Sequence, residues 1–155
     1  METSLILIKP DGVQRRLMGR ILARFEEKGL QVVGAKLMRI TPELAERHYA
    51  PHKGKPFYPG LVAFMTSGPV LALALSGKNA VAVVRKMLGA TFGSKAEPGT
   101  IRGDFGISDG FNLVHASDSP ETAKHELSLF FHGAEIVEYS MADTPWVYDT
   151  SSDVR

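Results

Sequence analysis

The stretch Pro69-Val-Leu-Ala-Leu-Ala-Leu-Ser-Gly-Lys-Asn-Ala-Val-Ala-Val-Val-Arg-Lys-Met-Leu-Gly89 sets a strand directly before a helix. Pro69 to Leu75 is an apolar run of strand length. Asn79 can cap a helix from Ala80 to Leu88, and Gly89 stands where that helix stops. What flanks this pair decides the topology. Upstream, Ser4 to Lys9 reads as a buried strand closed by a Pro10-Asp11-Gly12 turn. From Gly19 to Lys28, the apolar Ile21, Leu22 and Phe25 share one helical face, with Gly29 as its C-terminal cap. Val32 to Ile40 is rich in β-branched and apolar residues and reads as a second strand. Downstream, Phe111 to Ala116 reads as a fourth.

Without its shorter helices, this order is β-α-β-β-α-β. It predicts an α+β fold, the ferredoxin-like sandwich, whose antiparallel four-stranded sheet carries its helices on one face. The other face needs additional helices, a partner subunit or a ligand to cover it. Additional helices are signalled. Thr41-Pro42-Glu43 puts a hydroxyl at N-cap, proline at N1 and an acid in the first turn of a helix to about Tyr49. Gly60 to Ser67 reads as a short helix after a basic, aromatic loop, Pro51 to Pro59. Ser119-Pro120-Glu121 repeats the capping pattern for a helix to about Phe131. Ala90 to Gly110 shows little regular structure, and loops of that length are usually functional or disordered. The chain of 155 residues reads as one domain. Its C-terminal segment carries Ile136, Val137, Tyr139, Trp146 and Tyr148, and the tail from Asp149 is expected to be loose at its end.

Composition narrows the classes of function. An apolar fraction of 44% supports a real core, while no run approaches a membrane span. The N-terminus lacks the pattern of a signal peptide. The absence of cysteine excludes disulfides, thiolate metal sites and a cysteine nucleophile, and favours the cytoplasm. With 18 basic and 17 acidic residues, no overall field draws the chain to nucleic acid or an anionic membrane. Any anionic ligand must be held by a local group of cations.

Candidate chemistry centres on Asn112-Leu113-Val114-His115-Ala116-Ser117-Asp118-Ser119. Strand alternation puts Phe111, Leu113 and His115 on one side, with His115 where the strand ends. Taken alone, one histidine among five is by default a core-edge residue with a hydrogen bond. Ser117 and Asp118 lie close enough to orient the ring, and Glu126 returns to it if the following helix packs on the strand. A carboxylate holding one ring nitrogen leaves the other as a directed nucleophile. Lys9, Arg85 and Arg102 each read singly as surface charges. Gathered by the fold, they suit phosphate oxygens, Arg102 in particular because it lies among glycines. Thr91 adds a hydroxyl. Phe57, beside Tyr58 and Leu61, fits either base stacking or core packing. There is no P-loop, no protein-kinase motif set and no zinc-ligand spacing. The residues by themselves describe a phosphate-binding α+β domain with a candidate histidine nucleophile.

Asn112-x-x-His115-x-Ser117-Asp118-Ser119 resembles the active-site signature of the nucleoside diphosphate kinases. The likeness runs from Lys9-Pro10-Asp11-Gly12-Val13-Gln14-Arg15 through His48-Tyr49, Pro56-Phe57-Tyr58-Pro59-Gly60-Leu61-Val62, Arg85-Lys86-Met87-Leu88-Gly89 and Pro98-Gly99-Thr100-Ile101-Arg102-Gly103-Asp104-Phe105 to Trp146-Val147-Tyr148. It implies the same ferredoxin-like fold. It also implies ping-pong transfer of the γ-phosphoryl of a nucleoside triphosphate, typically ATP, to a nucleoside diphosphate through a pros-phosphohistidine on His115. By the resemblance, Lys9, Tyr49, Arg85, Thr91, Arg102 and Asn112 hold phosphates and ribose. Phe57 and Leu61 form the base-stacking entrance, and Ser117 and Glu126 orient the histidine. Mg2+ travels on the nucleotide phosphates without protein ligands. A cytoplasmic homo-oligomer is implied, a hexamer before a tetramer, with no membrane or nucleic-acid partner.

Three features depart from the pattern. Ala116 replaces a common glycine, which is tolerable where the backbone is not left-handed. Asp109 stands where an apolar residue usually packs on the base, and Phe92-Gly93 replaces an Asn-Pro that shapes an interface loop. Two rival readings are a nucleotide-binding module without turnover and an RNA-binding sheet. The first has no reason to keep His115 with its full set of partners. The second wants exposed aromatic pairs that the first and fourth strands lack.

Overall fold

In β1 (Glu2–Ile8) every residue from position 4 to position 8 is buried, so both faces of this strand are covered. The computed structural model describes residues 1–152. After β1 come α1 (Pro10–Gln14), α2 (Met18–Lys28), β2 (Gln31–Met38), α3 (Pro42–His48), α4 (Tyr58–Met65), β3 (Val70–Gly77), α5 (Ala80–Leu88), α6 (Ile101–Phe105), β4 (Val114–Ala116), α7 (Pro120–Phe130) and α8 (Thr144–Val147). The strands pair antiparallel in the order β2-β3-β1-β4, the ferredoxin-like arrangement the element order predicts. No described helix is long and apolar enough to cross a membrane.

Alternation along β1 divides the core. Ile6 and Ile8 join Leu73 and Leu75 beneath Ile21 and Phe25 of α2 and Val84 and Leu88 of α5. Leu5 and Leu7 join Ala72 and Ala74 beneath Ala45 of α3, Met65 of α4 and Phe130 of α7. Helices therefore cover both faces, and the additional ones supply the cover that a bare ferredoxin-like sheet needs.

Local signals hold well at the helix starts. Thr41 Oγ1 accepts from Leu44 N–H at 3.1 Å, and Ser119 and Thr122 form a capping box on α7. At α5 the expected cap differs. Asn79 adopts a left-handed φ of 52° without a side-chain cap, and Glu2 Oε1 of β1 accepts from Val81 N–H at 2.8 Å instead. Three short helices, α1, α6 and α8, form where none is expected, the first two for local reasons. Residues 10–14 wind into α1 rather than stopping at a turn, because Pro10 fits N1 and Val13 N–H reaches Lys9 O at 3.1 Å. Within the long loop, Thr100 Oγ1 accepts from Gly103 N–H at 3.0 Å and opens α6.

The fourth strand is shorter than its sequence suggests. Leu113 has a φ of 75°, a conformation rare for a non-glycine residue. Two distant groups hold it there: its N–H donates to Asp11 Oδ2 at 3.1 Å, and its carbonyl accepts from Lys9 N–H at 2.8 Å. Alternation is lost at that point. Leu113 enters the α2/α5 side of the core, Phe111 is exposed and stacks on Phe64 at 5.1 Å, and His115 lies opposite Leu7 on the other face. The shared side expected for Phe111, Leu113 and His115 does not exist. At the C-terminal end, Val137 N–H donates to Val33 O at 2.8 Å, and Ser151 N–H donates to Asp149 Oδ1 at 3.0 Å. The expected looseness of the tail's end concerns residues 153–155, which lie outside the described residues.

Candidate active site

His115 sits in β4, and α7 runs back over the same face of the sheet. The helix brings Glu126 Oε2 to 2.7 Å from His115 Nε2. A carboxylate only accepts, so Nε2 carries the ring proton of the neutral imidazole and Nδ1 keeps its lone pair. Among the described residues Nδ1 forms no hydrogen bond, and the side chain is 25% exposed. Burial pulls the pKa of Glu126 upward. The hydrogen bond and charge of His115, the hydroxyl of Ser117 and the neighbouring His48 outweigh that pull, and the net direction is down. Glu126 therefore stays ionised where it holds the ring. Ser117 lowers the carboxylate's pKa and also serves the backbone: its Oγ accepts from Leu5 N–H at 3.2 Å, which clips β4 to β1. Asp118 does not orient the ring. Its Oδ1 accepts from Thr122 Oγ1 at 2.7 Å and belongs to the start of α7.

The separated cations do converge, around Asn112. Lys9 Nζ donates to Asn112 Oδ1 at 2.8 Å, and Asn112 Nδ2 donates to Thr91 O at 3.0 Å. The guanidinium of buried Arg102 donates from Nε to Asn112 O at 3.2 Å, from Nη1 to Gly89 O at 3.1 Å and from Nη2 to Val114 O at 2.6 Å. Arg85 of α5 reaches Ala116 O at 3.4 Å. Burial, followed by the charge of Arg102, lowers the Lys9 ammonium to about 8, with Asp11 opposing. Burial, then the charge of Arg85, lowers Arg102 to about 10. Arg102 thus acts on Lys9 and Arg85 on Arg102, and cations close enough to do so form a local positive field that suits an anion. Gly103, next to Arg102, serves a different purpose from the one expected. A Cβ on Gly103 would lie 1.9 Å from Glu97 O, so this glycine lets the loop pack on itself rather than on a ligand.

A series of ring contacts links His115 to exposed Phe57. His48 lies 4.9 Å from His115 and 4.4 Å from Tyr49, Tyr49 lies 6.5 Å from His52, and His52 lies 5.3 Å from Phe57. Phe57 is 52% exposed at the start of α4, whereas Leu61 is half-buried against the α3/α4/α7 side of the core. The Tyr49 hydroxyl is buried without a partner among the described residues, and burial, then the charge of Glu126, raises its pKa. Asp109 is exposed and accepts from Ser94 Oγ at 3.2 Å. Ala116 lies within β4, where its methyl meets no left-handed backbone. His48, absent from the sequence-derived site, belongs to it. Its ligand atoms and those of His115 and Glu126 lie within 4.8 Å of one another, a grouping that no local spacing signals.

An imidazole held by a carboxylate, with lysine and arginine side chains gathered by the same ferredoxin-like sheet, is an arrangement that suits phosphoryl transfer. The model of the nucleoside diphosphate kinase family matches residues 2–136. A nucleoside diphosphate kinase of Archaeoglobus fulgidus is 53% identical over 96% of this chain and 99% of its own, and one of Microcystis aeruginosa is 55% identical over 96% and 100%. Among solved structures, a halophilic nucleoside diphosphate kinase from Halobacterium salinarum in complex with CDP superposes with a TM-score of 0.93 at 49% identity, covering 95% of this chain and 98% of that one. A nucleoside diphosphate kinase family protein from Babesia bovis gives 0.93 at 42%, covering 96% and 100%. The chain belongs to the nucleoside diphosphate kinase family and is a nucleotide-binding kinase.

Proposed function

We propose that the enzyme transfers the γ-phosphoryl group of a nucleoside triphosphate, typically ATP, to a nucleoside diphosphate by a ping-pong route through His115. The carrying observation is the division of labour on the imidazole: Nε2 is committed to Glu126 at 2.7 Å, and Nδ1 forms no hydrogen bond among the described residues. Nδ1 attacks the γ-phosphorus, the bond to the β–γ bridging oxygen breaks, and the nucleoside diphosphate leaves with that electron pair. A β-phosphate oxygen of the second nucleotide then attacks the phosphohistidine and restores the imidazole. Glu126 stabilises the positive charge that the ring gains, and Ser117 steadies Glu126. Lys9, Arg85 and Arg102 offset phosphate charge, with Tyr49, Thr91 and Asn112 on phosphate and ribose. Phe57 and Leu61 receive the base.

Mg2+ fits this reading as a passenger of the nucleotide. Among the described residues, the grouping that could hold an ion is His48, His115 and Glu126, and two nitrogens suit Mg2+ poorly. Bound to phosphate oxygens, Mg2+ would neutralise charge there. The reading also includes a single domain over residues 1–155, a cytoplasmic location and a homo-oligomer, hexamer before tetramer. The resemblance supports these, and light scattering separates the two assemblies. Incubation with γ-labelled ATP is expected to leave an acid-labile, alkali-stable label that passes to added GDP. Turnover without such a label would mean direct transfer between nucleotides.

Lys9 makes the affinity pH-dependent. Its charge is present below about pH 8 and is lost above it, so the dissociation constant for ADP should rise by up to about tenfold per pH step once the medium passes about 8. Folding stability moves the other way. Folded Lys9 releases its proton before the unfolded chain does, so the cost of burying its charge disappears as pH rises from about 8 towards the ordinary lysine range. Calorimetric titration with ADP at pH 7 and pH 9.5 checks this, with Lys9→Gln expected to show little of the trend.

A further inference from the structure

We infer that His48 is a positioning residue, which donates its Nδ1–H to Glu126 during phosphoryl transfer and so fixes the imidazole of His115. The inference rests on the phosphohistidine reading above. Its starting point is an unexplained arrangement. The His48 side chain is 2% exposed, yet neither of its ring nitrogens has a hydrogen-bond partner among the described residues. Oε1 of Glu126 is likewise buried without one. Buried polar groups left unpaired cost stability and call for a reason. The donor in want of a partner stands beside this carboxylate: His48 Nδ1 lies 3.4 Å from Glu126 Oε2, the oxygen that also accepts from His115 Nε2–H.

Three walls confine the ring. His48 meets His115 at 4.9 Å and 87°, Phe130 at 5.1 Å and 90°, and Tyr49 at 4.4 Å and 66°. A slight tilt aligns Nδ1–H with the carboxylate, while a large swing is blocked. Burial first, and then the neighbouring His115, with His125 and Lys9 adding less, lowers the His48 pKa to about 3 against the opposing charge of Glu126. The ring therefore offers an N–H without a second positive charge that would compete with His115 for Glu126. As His115 Nδ1 bonds to phosphorus, its ring becomes cationic and draws the carboxylate closer. His48 follows, replaces the solvation that Glu126 lacks in its buried position, and keeps Oε2 aligned. No proton changes owner.

Two variants separate this from packing. His48→Phe keeps a ring between Phe130 and His115 but removes the donor, and His48→Asn places an amide N–H near the position of Nδ1. Single-turnover phosphorylation by γ-labelled ATP should be about tenfold slower in His48→Phe, the effect of one hydrogen bond to a charged group. The KM for ATP should stay unchanged, because His48 touches no nucleotide in this reading, and His48→Asn should recover most of the rate. In the wild type, 15N NMR should show His48 with its proton on Nδ1, a readout that needs no variant to fold. A His48→Phe enzyme as fast as wild type, an asparagine variant no faster than the phenylalanine one, or a His48 proton on Nε2 would each overturn the inference. A wild type that turns over without an acid-labile label overturns the phosphohistidine reading itself, and this inference with it.

Discussion

His115→Ala is expected to lose phosphoryl transfer by at least about 10,000-fold, the scale on which removing a nucleophile from a catalytic unit disables the whole unit. The loss should fall on kcat and on labelling by γ-labelled ATP alike, since no neighbour can stand in. Glu126 is a carboxylate already engaged with the ring, and His48 is 2% exposed. Stability should fall modestly, because the buried Glu126 carboxylate loses its partner. His115 is 25% exposed, so its removal opens space to solvent rather than a sealed cavity. Added imidazole supplies an independent check: with the phosphate-holding cations intact, free imidazole in the vacated space should accept the γ-phosphoryl and restore part of the turnover. Glu126→Gln should fall in between, by about 100-fold, because the amide can keep a hydrogen bond to the ring but not the negative charge that offsets the cationic phosphohistidine. Full labelling of the alanine variant would rule out His115 as the acceptor.

Arg102→Ala is expected to be the most damaging change outside the nucleophile, because this side chain joins two tasks. It is 6% exposed and donates to the carbonyls of Asn112, Gly89 and Val114, which join the end of α5 to the segment leading into β4. Alanine leaves these acceptors unpaired in a site where water enters poorly. At about 1–3 kcal/mol for each acceptor left unsatisfied, the sum is a large share of the roughly 5–15 kcal/mol that holds a domain together. The urea midpoint should drop sharply, and whatever remains folded should label slowly, because Asn112 and Lys9 lose their common support. Arg102→Lys should rescue neither property, since a single ammonium cannot span the geometry of a guanidinium fork. Arg85→Ala is the matching control: exposed, with one contact of 3.4 Å, it should retain stability while losing activity. Equal urea midpoints for wild type and Arg102→Ala would show that the carbonyls find other partners.

The contrast between these two arginines shows why the site was only partly legible beforehand. Both were candidates for phosphate from residue type and resemblance, and the charge of Arg85 is felt at Arg102. That one of them is also a buried pin depends on where the carbonyls of residues 89, 112 and 114 point, which no local pattern encodes. His48 was missed for a similar reason. It ends α3 as an ordinary polar residue beside Tyr49, and only the docking of α3 against α7 buries it next to Glu126. Asp11 and Leu113 make the same point for the backbone. Strand propensity extends through residues 111–116, yet a carboxylate 102 positions earlier holds Leu113 at positive φ and sets the face on which His115 emerges.

Sequence by itself determined the antiparallel four-stranded order, the starts of α3 and α7 and the composition of the core, while His115 stood out only through the resemblance of the motif around it. Each of the former is written in residues close together in the chain: an apolar run, or a capping hydroxyl followed by proline. Tertiary structure alone decided that Nδ1 rather than Nε2 is the free nitrogen, that Lys9 meets Asn112 across 103 positions, and that both faces of the sheet are covered by helices. The physical reason is range. Propensity and capping act within a turn or two, whereas the proton on a ring nitrogen, the pKa of a buried lysine and the register of an edge strand are set by groups that only folding brings within a few ångströms.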